Sequence, residues 1–455
     1  MAGTTNAQAP GLHFGWHSDV VGTGTGKVPV LLNPGGLKHH TAIIAQSGAG
    51  KSFTLGRLLE EISCWTKART VILDPNSDFA RFGQVENGAW KQDHLKSWFG
   101  PKDTLTRFTR RWNKVGVKTL TLRASSKMPK GVDVSPISLN WGDLSLLEKV
   151  DHLGYSASKD PGEVFVVDMA NVIVRHNIKE ESENADTSLS YFLECVYRMG
   201  NSARGSTQTR GIELPQPITK EDYPTEVSES VAARCYELTT YDVWDTDPTS
   251  VDDYLRAMGK DNPAYRVLSV DLASVPNSES RLRVAKATLD SIFSGAREAW
   301  TRALGLSATR DKRTPTFIVL DEAHNMAPSE PETRMAKAVT DSVVTIAAEG
   351  RKYGLFLILV TQRPSRLHPT VLSQCDNLCL LRMNNRHDLD LIENVFGFVP
   401  DGMAKRALDF GVGDCLLSGG FVEHPVFAHV APRRTVEGGR NLRDSYWASD
   451  PLEEG

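Results

Sequence analysis

Apolar residues recur along this chain in two rhythms, and the rhythms divide it. The run TAIIA (41–45) is followed by a Gly/Ser turn and then by SFTLGRLLEEI, in which Leu55, Leu58, Leu59 and Ile62 return at helical spacing. Strand, glycine loop and helix are therefore expected over 41–62. A short strand precedes them (VPVLL, 28–32) and a second buried strand follows (TVILD, 70–74). Beyond residue 262 near-continuous apolar runs reappear: YRVLSVDL (265–272), TFIVLDE (316–322), LFLILVTQ (355–362), NLCLLRM (377–383) and DCLLSG (414–419). Segments of helical period lie between them, such as SRLRVAKATLDSIFSGAREAW (280–300). Val/Ile/Leu-rich strands alternating with helices predict a mostly parallel sheet covered on both faces, because a strand buried on both sides has no polar face to show.

The middle of the chain reads differently. From about 135 to 262 it is polar and in places acidic. There EVFVVDMANVIV (163–174) and SLSYFLECVYRMG (188–200) predict amphipathic helices, separated by Thr- and Pro-rich stretches such as GIELPQPITKEDYPTE. The expected organisation is an α/β core in two parts, 37–134 and 263–435, interrupted by a helical insertion at 135–262. An extension at 1–36 precedes the core, and a polar tail at 436–455 follows it. Residues 1 to about 27 read as loose, with the glycine-rich VGTGTGK unable to pack alone.

Composition narrows the class. Of 455 residues, 40% are hydrophobic and 24% charged, which excludes a disordered or collagen-like chain. No apolar stretch approaches the roughly 18–20 residues that span a bilayer. The opening MAGTTNAQAPGLHFG lacks the basic flank and apolar core of a secretory signal, so a cytosolic protein with no membrane partner is expected. A net charge of −4 excludes a histone-like polycation but leaves nucleic-acid binding open, since basic residues are needed only where a strand passes. The six cysteines show no CxxC pair and no His/Cys cluster, a pattern of reduced buried thiols rather than of a zinc site.

Chemistry enters with AQSGAGKS, Ala45 to Ser52. It fits the phosphate-loop pattern G-x-x-x-x-G-K-[ST] at Gly50, Lys51 and Ser52, with Ala45 in place of the first glycine. The backbone N–H groups of Ser47, Gly48, Ala49, Gly50, Lys51, Ser52 and Phe53, at a helix N-terminus, would cradle phosphates. Lys51 would reach the β- and γ-phosphates of ATP, and Ser52 would ligate Mg²⁺. In FIVLDEAHNMAPSE (317–330) four apolar residues end in Asp321-Glu322, where a buried strand opens onto its ligand crevice. Asp321 would hold the Mg²⁺ and Glu322 would act as general base on water. In LVTQRP (359–364) Gln362 is either a γ-phosphate sensor or a strand cap. In EGRKYG (349–354) Arg351 or Lys352 is either a finger reaching a neighbouring subunit or a basic helix terminus. In LDPNSDF, Asp74 and Asp78 either lie near the phosphates or close an Asx turn. The basic run Arg107, Arg110, Arg111, Lys114 and Lys118 is a pore element or a solvated face.

Taken together, HHTAIIAQSGAGKSFTLGRLLEE, VILDPNSDF, YRVLSVDL, FIVLDEAHNMAP and above all EGRKYGLFLILVTQRPSRLHPTVLSQCDN resemble the HerA-type ATPases of the HerA/FtsK P-loop superfamily. The resemblance covers about 37–80 and 262–435. It implies a RecA-like P-loop NTPase core with an inserted helical domain, and a homohexameric ring with nucleotide at subunit interfaces and double-stranded DNA in the pore. It supports Lys51, Ser52, Asp321, Glu322 and Gln362 in the roles above and makes Arg351 the choice for the finger. It also implies that the segment around HPVFAHVAPRRT (424–435), with Arg433 and Arg434, braces a neighbour's nucleotide site. One departure stands out: HerA proteins usually begin with a small β-barrel that docks a partner nuclease, and here about 40 residues precede the phosphate loop. The resemblance therefore implies an ATP-hydrolysing DNA translocase serving a nuclease or antiphage effector. A nucleotide-gated scaffold, or a conjugation or secretion ATPase, stays open beside it.

Overall fold

The structure is a computed structural model, and it describes residues 11–18, 28–86, 102–123, 128, 131–180, 186–202, 225–307 and 310–438. The VGTGTGK segment, most of the expected polar tail and the side chain of Arg107 lie outside the described residues. In chain order the strands are β1 (Leu12–His17), β2 (Pro29–Leu32), β3 (His40–Ile44), β4 (Arg69–Asp74), β5 (Val117–Leu120), β6 (Val134–Ser135), β7 (Val267–Asp271), β8 (Thr316–Leu320), β9 (Leu355–Thr361), β10 (Cys375–Leu380), β11 (Asp414–Gly419) and β12 (Val426–Val430). They form one sheet in the order β2-β1-β12-β11-β10-β3-β9-β8-β4-β7-β5-β6. From β10 to β6 every pairing is parallel; β11, β12, β1 and β2 add an antiparallel wing.

Alternation along the parallel strands sends neighbouring residues to two different cores. Ala42, Ile44, Val71, Leu73, Ile318 and Leu320 enter one apolar cluster. Ile43, Ile72, Val319, Ile358 and Val360 enter the other. This is why these strands read as unbroken apolar runs. Helices α1 (Lys51–Trp65) and α2 (Lys102–Val115) cover the second face. The first face is covered by helices 278–303 and 334–353 and by helices 146–153, 161–180, 189–202, 225–239 and 251–258, whose apolar side chains join the same cluster.

One expectation fails at the start of the chain. Leu12–His17 is a strand, not a loose segment: Leu12 and Phe14 alternate inward and are buried. It pairs with β12 through Gly15↔Val430 and with β2 through Leu12↔Leu32. Six residues of alternating pattern gave too little signal on their own; the partner strand, more than 400 residues away, supplies the burial. All six cysteines are buried free thiols. Among the described residues no helix is long and apolar enough to cross a membrane.

Candidate functional site

β3, β9 and β10 end side by side, and the phosphate loop hangs from their ends. Ala45 N–H donates to Thr361 O at the end of β9 (3.2 Å), and Gln46 N–H to Arg382 O just past β10 (2.9 Å). Gly48 and Gly50 then take φ of 74° and 92°, the left-handed region that a side chain resists. Gly50 is the N-cap of α1. The first intrahelical bond runs from Thr54 N–H to Gly50 O (2.9 Å), so the amides of Lys51, Ser52 and Phe53 have no acceptor within the helix and point out of its positive end. Ala45 and Ala49 are fully buried, so the alanine in place of the first motif glycine fits the strand end.

β8 brings the acidic pair to this loop. The Lys51 ammonium is bonded to Glu322 Oε1 and lies 3.1 Å from Asp321 Oδ1. Burial works against its charge, but the two carboxylates outweigh burial and raise its pKa. Asp321 is buried and held above the ordinary carboxyl range, burial outweighing the pull of Lys51. Gln362 Nε2 donates to the same Glu322 oxygen at 2.5 Å, across the β8–β9 pairing. The other Glu322 oxygen, Oε2, is buried and makes no hydrogen bond; His324 Nδ1 stands 3.5 Å away and faces the Thr361 hydroxyl at 3.0 Å. Glu322 is itself left-handed (φ 48°, ψ 50°). A non-glycine residue held so costs about 1–3 kcal/mol, and such strain clusters at functional positions.

The turn after β4 closes the far side. Asp74 accepts N–H bonds from Asn76 (3.2 Å), Asp78 (3.1 Å) and Phe79 (2.8 Å), so its carboxylate shapes the loop that follows it. Burial, with Asp321, Asp271 and Asp78 adding to it, pushes Asp74 up to about 8. The loop presents Asp78 to the Ser52 hydroxyl, which donates at 2.5 Å, and Asn76 to Asp321 at 3.3 Å. Ser52, Asp78 and Asp321 offer hard oxygen ligands of the kind Mg²⁺ takes, one or two from protein with the rest from phosphates and water. Buried Glu322 Oε2, without a donor, is the matching orphan acceptor for a water. The residues present thus fit a magnesium nucleotide.

Lys51, Ser52, Asp321, Glu322 and Gln362 therefore meet in one place, with the Ser47–Phe53 backbone around them. Arg351 does not join them. It ends the helix 334–353 at the opposite end of the sheet, before β9 begins. Six residue steps of β9 set it roughly 20 Å from its own phosphate loop. There it donates to Asp376 Oδ2 (2.9 Å), which also meets His39 Nδ1 (2.7 Å). The neighbouring Lys352 ammonium instead packs over the Trp300 ring at 4.3 Å. The expectation for Arg433 needs correcting. It is buried in its own chain, stacked over Phe79 and Phe82, with NH1 donating to Ser52 O at 3.3 Å. A side chain enclosed in this way is not presented to a neighbour. Asn76 joins the site only through the fold, which brings it to Asp321 from 245 residues away, whereas His324 follows Glu322 by two residues in the same motif and carries no signal of its own there.

With this geometry in view, comparisons with known proteins agree on its class. A sequence model described as "Helicase HerA, central domain" matches residues 19–292, and one described as "ATPase family associated with various cellular activities (AAA)" matches residues 264–383. A probable helicase of Methanocaldococcus jannaschii is 28% identical over 159 residues, 35% of this chain and 28% of that protein. The probable DNA double-strand break repair helicase HerA of the same organism is 28% identical over 128 residues, 28% of this chain and 25% of that protein. The DNA double-strand break repair helicase HerA of Pyrococcus furiosus is 27% identical over 124 residues, 27% and 22% of the two chains. The chain spans about a quarter of the length of these curated relatives. Among solved structures, VirB4 of Thermoanaerobacter pseudethanolicus superposes with a TM-score of 0.51 at 15% identity, covering 94% of this chain and 98% of that one. The plasmid coupling protein TrwB in complex with ADP and Mg²⁺ gives 0.50 at 13% identity, covering 91% and 89%. At such identities the likeness is one of fold: a P-loop ATPase with a mostly parallel sheet.

Proposed function

From the premise that this chain belongs to the HerA helicase family and is a P-loop ATPase, we propose that it is an ATP-hydrolysing motor that moves double-stranded DNA. The observation that carries the reading is that Lys51 meets both Asp321 and Glu322 at the mouth of the phosphate loop, while Gln362 donates to the same Glu322 oxygen. Backbone amides of Ser47–Phe53 and the Lys51 ammonium bind the triphosphate and orient it. Bound Mg²⁺ would neutralise phosphate charge, held from Ser52 and Asp321 with Asp78 adjoining. Glu322 takes the proton of the attacking water, and Gln362 fixes the carboxylate that does so. Lys51 is bonded to Glu322, and a phosphate competing for its ammonium would leave the carboxylate free to act as base.

Arg351 lies too far from its own loop to act there, which supports a role in the site of an adjoining subunit in a homohexamer. Asp376 and His39 hold its guanidinium half-exposed for that purpose. A nuclease or antiphage effector is the proposed recipient of the motor's work in the cytoplasm. ATP turnover with and without long duplex DNA, in the wild type, Lys51→Ala and Glu322→Gln, tests the reading. Several-fold stimulation by duplex, abolished in both variants, is the expected result. Turnover indifferent to DNA would point to a nucleotide-gated scaffold, and turnover unchanged in both variants would remove the site.

A further inference from the structure

Helix α1 starts at the phosphate loop and ends about 21 Å away, at 1.5 Å per residue, in a second concavity. This groove lies at the opposite end of the sheet, where β4 and β7 begin. It has a volume of about 580 Å³ and is lined by seven basic residues against one carboxylate, Asp261. The chain as a whole carries a net charge of −4, so this excess is not a reflection of composition.

The sequence builds the groove by simple means. Phe108 and Trp112, four residues apart on α2, stack at 5.8 Å and bury against Phe82. That fixes the helix so that Arg110, Arg111 and Lys114 project from its other side into the groove. Arg266 donates to Thr66 O and Ser63 O (both 2.8 Å), and Arg111 Nε donates to Cys64 O. These bonds satisfy carbonyls at the C-terminal end of α1, which attracts cations. They orient guanidinium groups without neutralising them. Helix capping explains those two arginines and no more. Lys67, Arg110, Lys114 and Lys260 are exposed and meet no carboxylate among the described residues. Asp261 lies 3.5 Å from Lys312. Beside them the Trp65 indole is 44% exposed, with the Arg111 guanidinium 3.9 Å over its ring. On a convex surface such charges would be merely solvated; in a concavity with low-dielectric walls their fields add.

We propose that this groove binds single-stranded nucleic acid, with Arg110, Lys114, Lys67 and Lys260 on successive phosphates and Trp65 as a stacking platform for a base. A basic channel carrying an exposed aromatic is the arrangement that unpaired strands use, since every base has a face to stack while a duplex hides its bases. An acidic protein would use the cations but has no need of the indole. The groove is separate from the nucleotide site, and the inference does not depend on the roles given to Lys51 or Glu322.

Fluorescence anisotropy of the full chain without nucleotide, using labelled oligo(dT) and a duplex of equal length, provides the test. The expected result is salt-dependent binding of oligo(dT) that the groove variants weaken more than they weaken duplex binding. Arg110→Glu with Lys114→Glu lowers affinity at least about tenfold and reduces the slope of log K against log salt by about 1.4, two phosphate contacts' worth. Trp65→Ala weakens binding about tenfold through lost stacking. Lys51→Ala leaves strand binding intact while abolishing turnover, so failure of the motor reading and failure of this one are distinguishable. Affinity unchanged in the charge-reversed variant, with native circular dichroism, would overturn the proposal. So would an equal loss of duplex binding in the charge-reversed and Trp65→Ala variants, or displacement of oligo(dT) by polyglutamate as effective as by unlabelled strand.

Discussion

Glu322 shows how much one residue carries. Its backbone is left-handed, one of its oxygens takes both Lys51 and Gln362, and the other has no hydrogen bond. Replacing it with Gln keeps the shape and removes the base. Turnover is expected to fall about 10²–10⁴-fold while ATP binding persists, checked by steady-state hydrolysis beside calorimetric titration. Lys51→Ala should instead lose binding. Equal loss of binding in both variants would contradict the division of roles. At the far end of the sheet, Asp376 is the carboxylate that positions Arg351. From the proposed role of Arg351 in an adjoining subunit's site, Asp376→Asn should lower turnover at saturating ATP with little change in KM, because the guanidinium stays but loses the partner that holds it. In Arg351→Ala the additional Asp376→Asn change should then have no effect, and an additive loss in the double variant would refute the link.

At the scale of elements, the segment after β12 is a strap across the back of α1. Val436 N–H donates to Gln84 O (2.9 Å), Glu86 N–H to Arg434 O (2.8 Å) and Gly438 N–H to Asp78 O (3.0 Å). Glu60, fully buried on α1, accepts from Arg434 N–H and Thr435 N–H at 2.7 and 2.6 Å. The strap thus grips both the helix that follows the phosphate loop and the loop that carries Asp78. Gly56 is the point of closest approach: a Cβ there would stand 2.5 Å from Arg433 Nε. Because Arg433 is enclosed, it has little room to yield. Gly56→Ala is expected to destabilise by about 1–3 kcal/mol, through overpacking, against the small gain alanine gives a helix. Chemical denaturation measures it; a stabilised variant would show that the strap moves freely.

Across the whole molecule, the two-faced sheet forces polar groups at strand ends into dry surroundings. His40 opens β3 with no solvent exposure; its Nδ1 accepts from Leu357 N–H (2.8 Å) and its Nε2 faces Ala347 O (3.0 Å). Burial lowers its pKa to about 4, the nearby Arg351 contributing in the same direction. The neutral ring is therefore the folded form. Stability from this group is complete above the unfolded value near 6.5 and is lost as pH falls from there toward 4, since the unfolded chain takes up the proton first. The full span is worth of order 3 kcal/mol. Unfolding midpoints at pH 7 and pH 5 should show a smaller drop for His40→Gln than for the wild type. Identical drops would exclude His40 as the cause.

Much of this protein was legible in one dimension. A run such as TAIIAQSGAGKS or FIVLDE states its strand, its loop chemistry and its burial at once, because local periodicity and local backbone demands are properties of neighbouring residues. The phosphate loop, the acidic pair and Gln362 were readable for that reason, as were the parallel core strands. What periodicity cannot supply is a partner distant in the chain. Leu12–His17 becomes a strand only beside Val426–Val430. Arg433 reads as an exposed contact until Gly56, Phe79 and Phe82 enclose it. The basic residues of α2 read as a solvated face until Trp65, Arg69 and Arg266 complete a groove around them. Sequence named the candidate chemistry of the local motifs; tertiary structure decided which segments share a site, because burial and electrostatic fields arise between residues that only folding brings together.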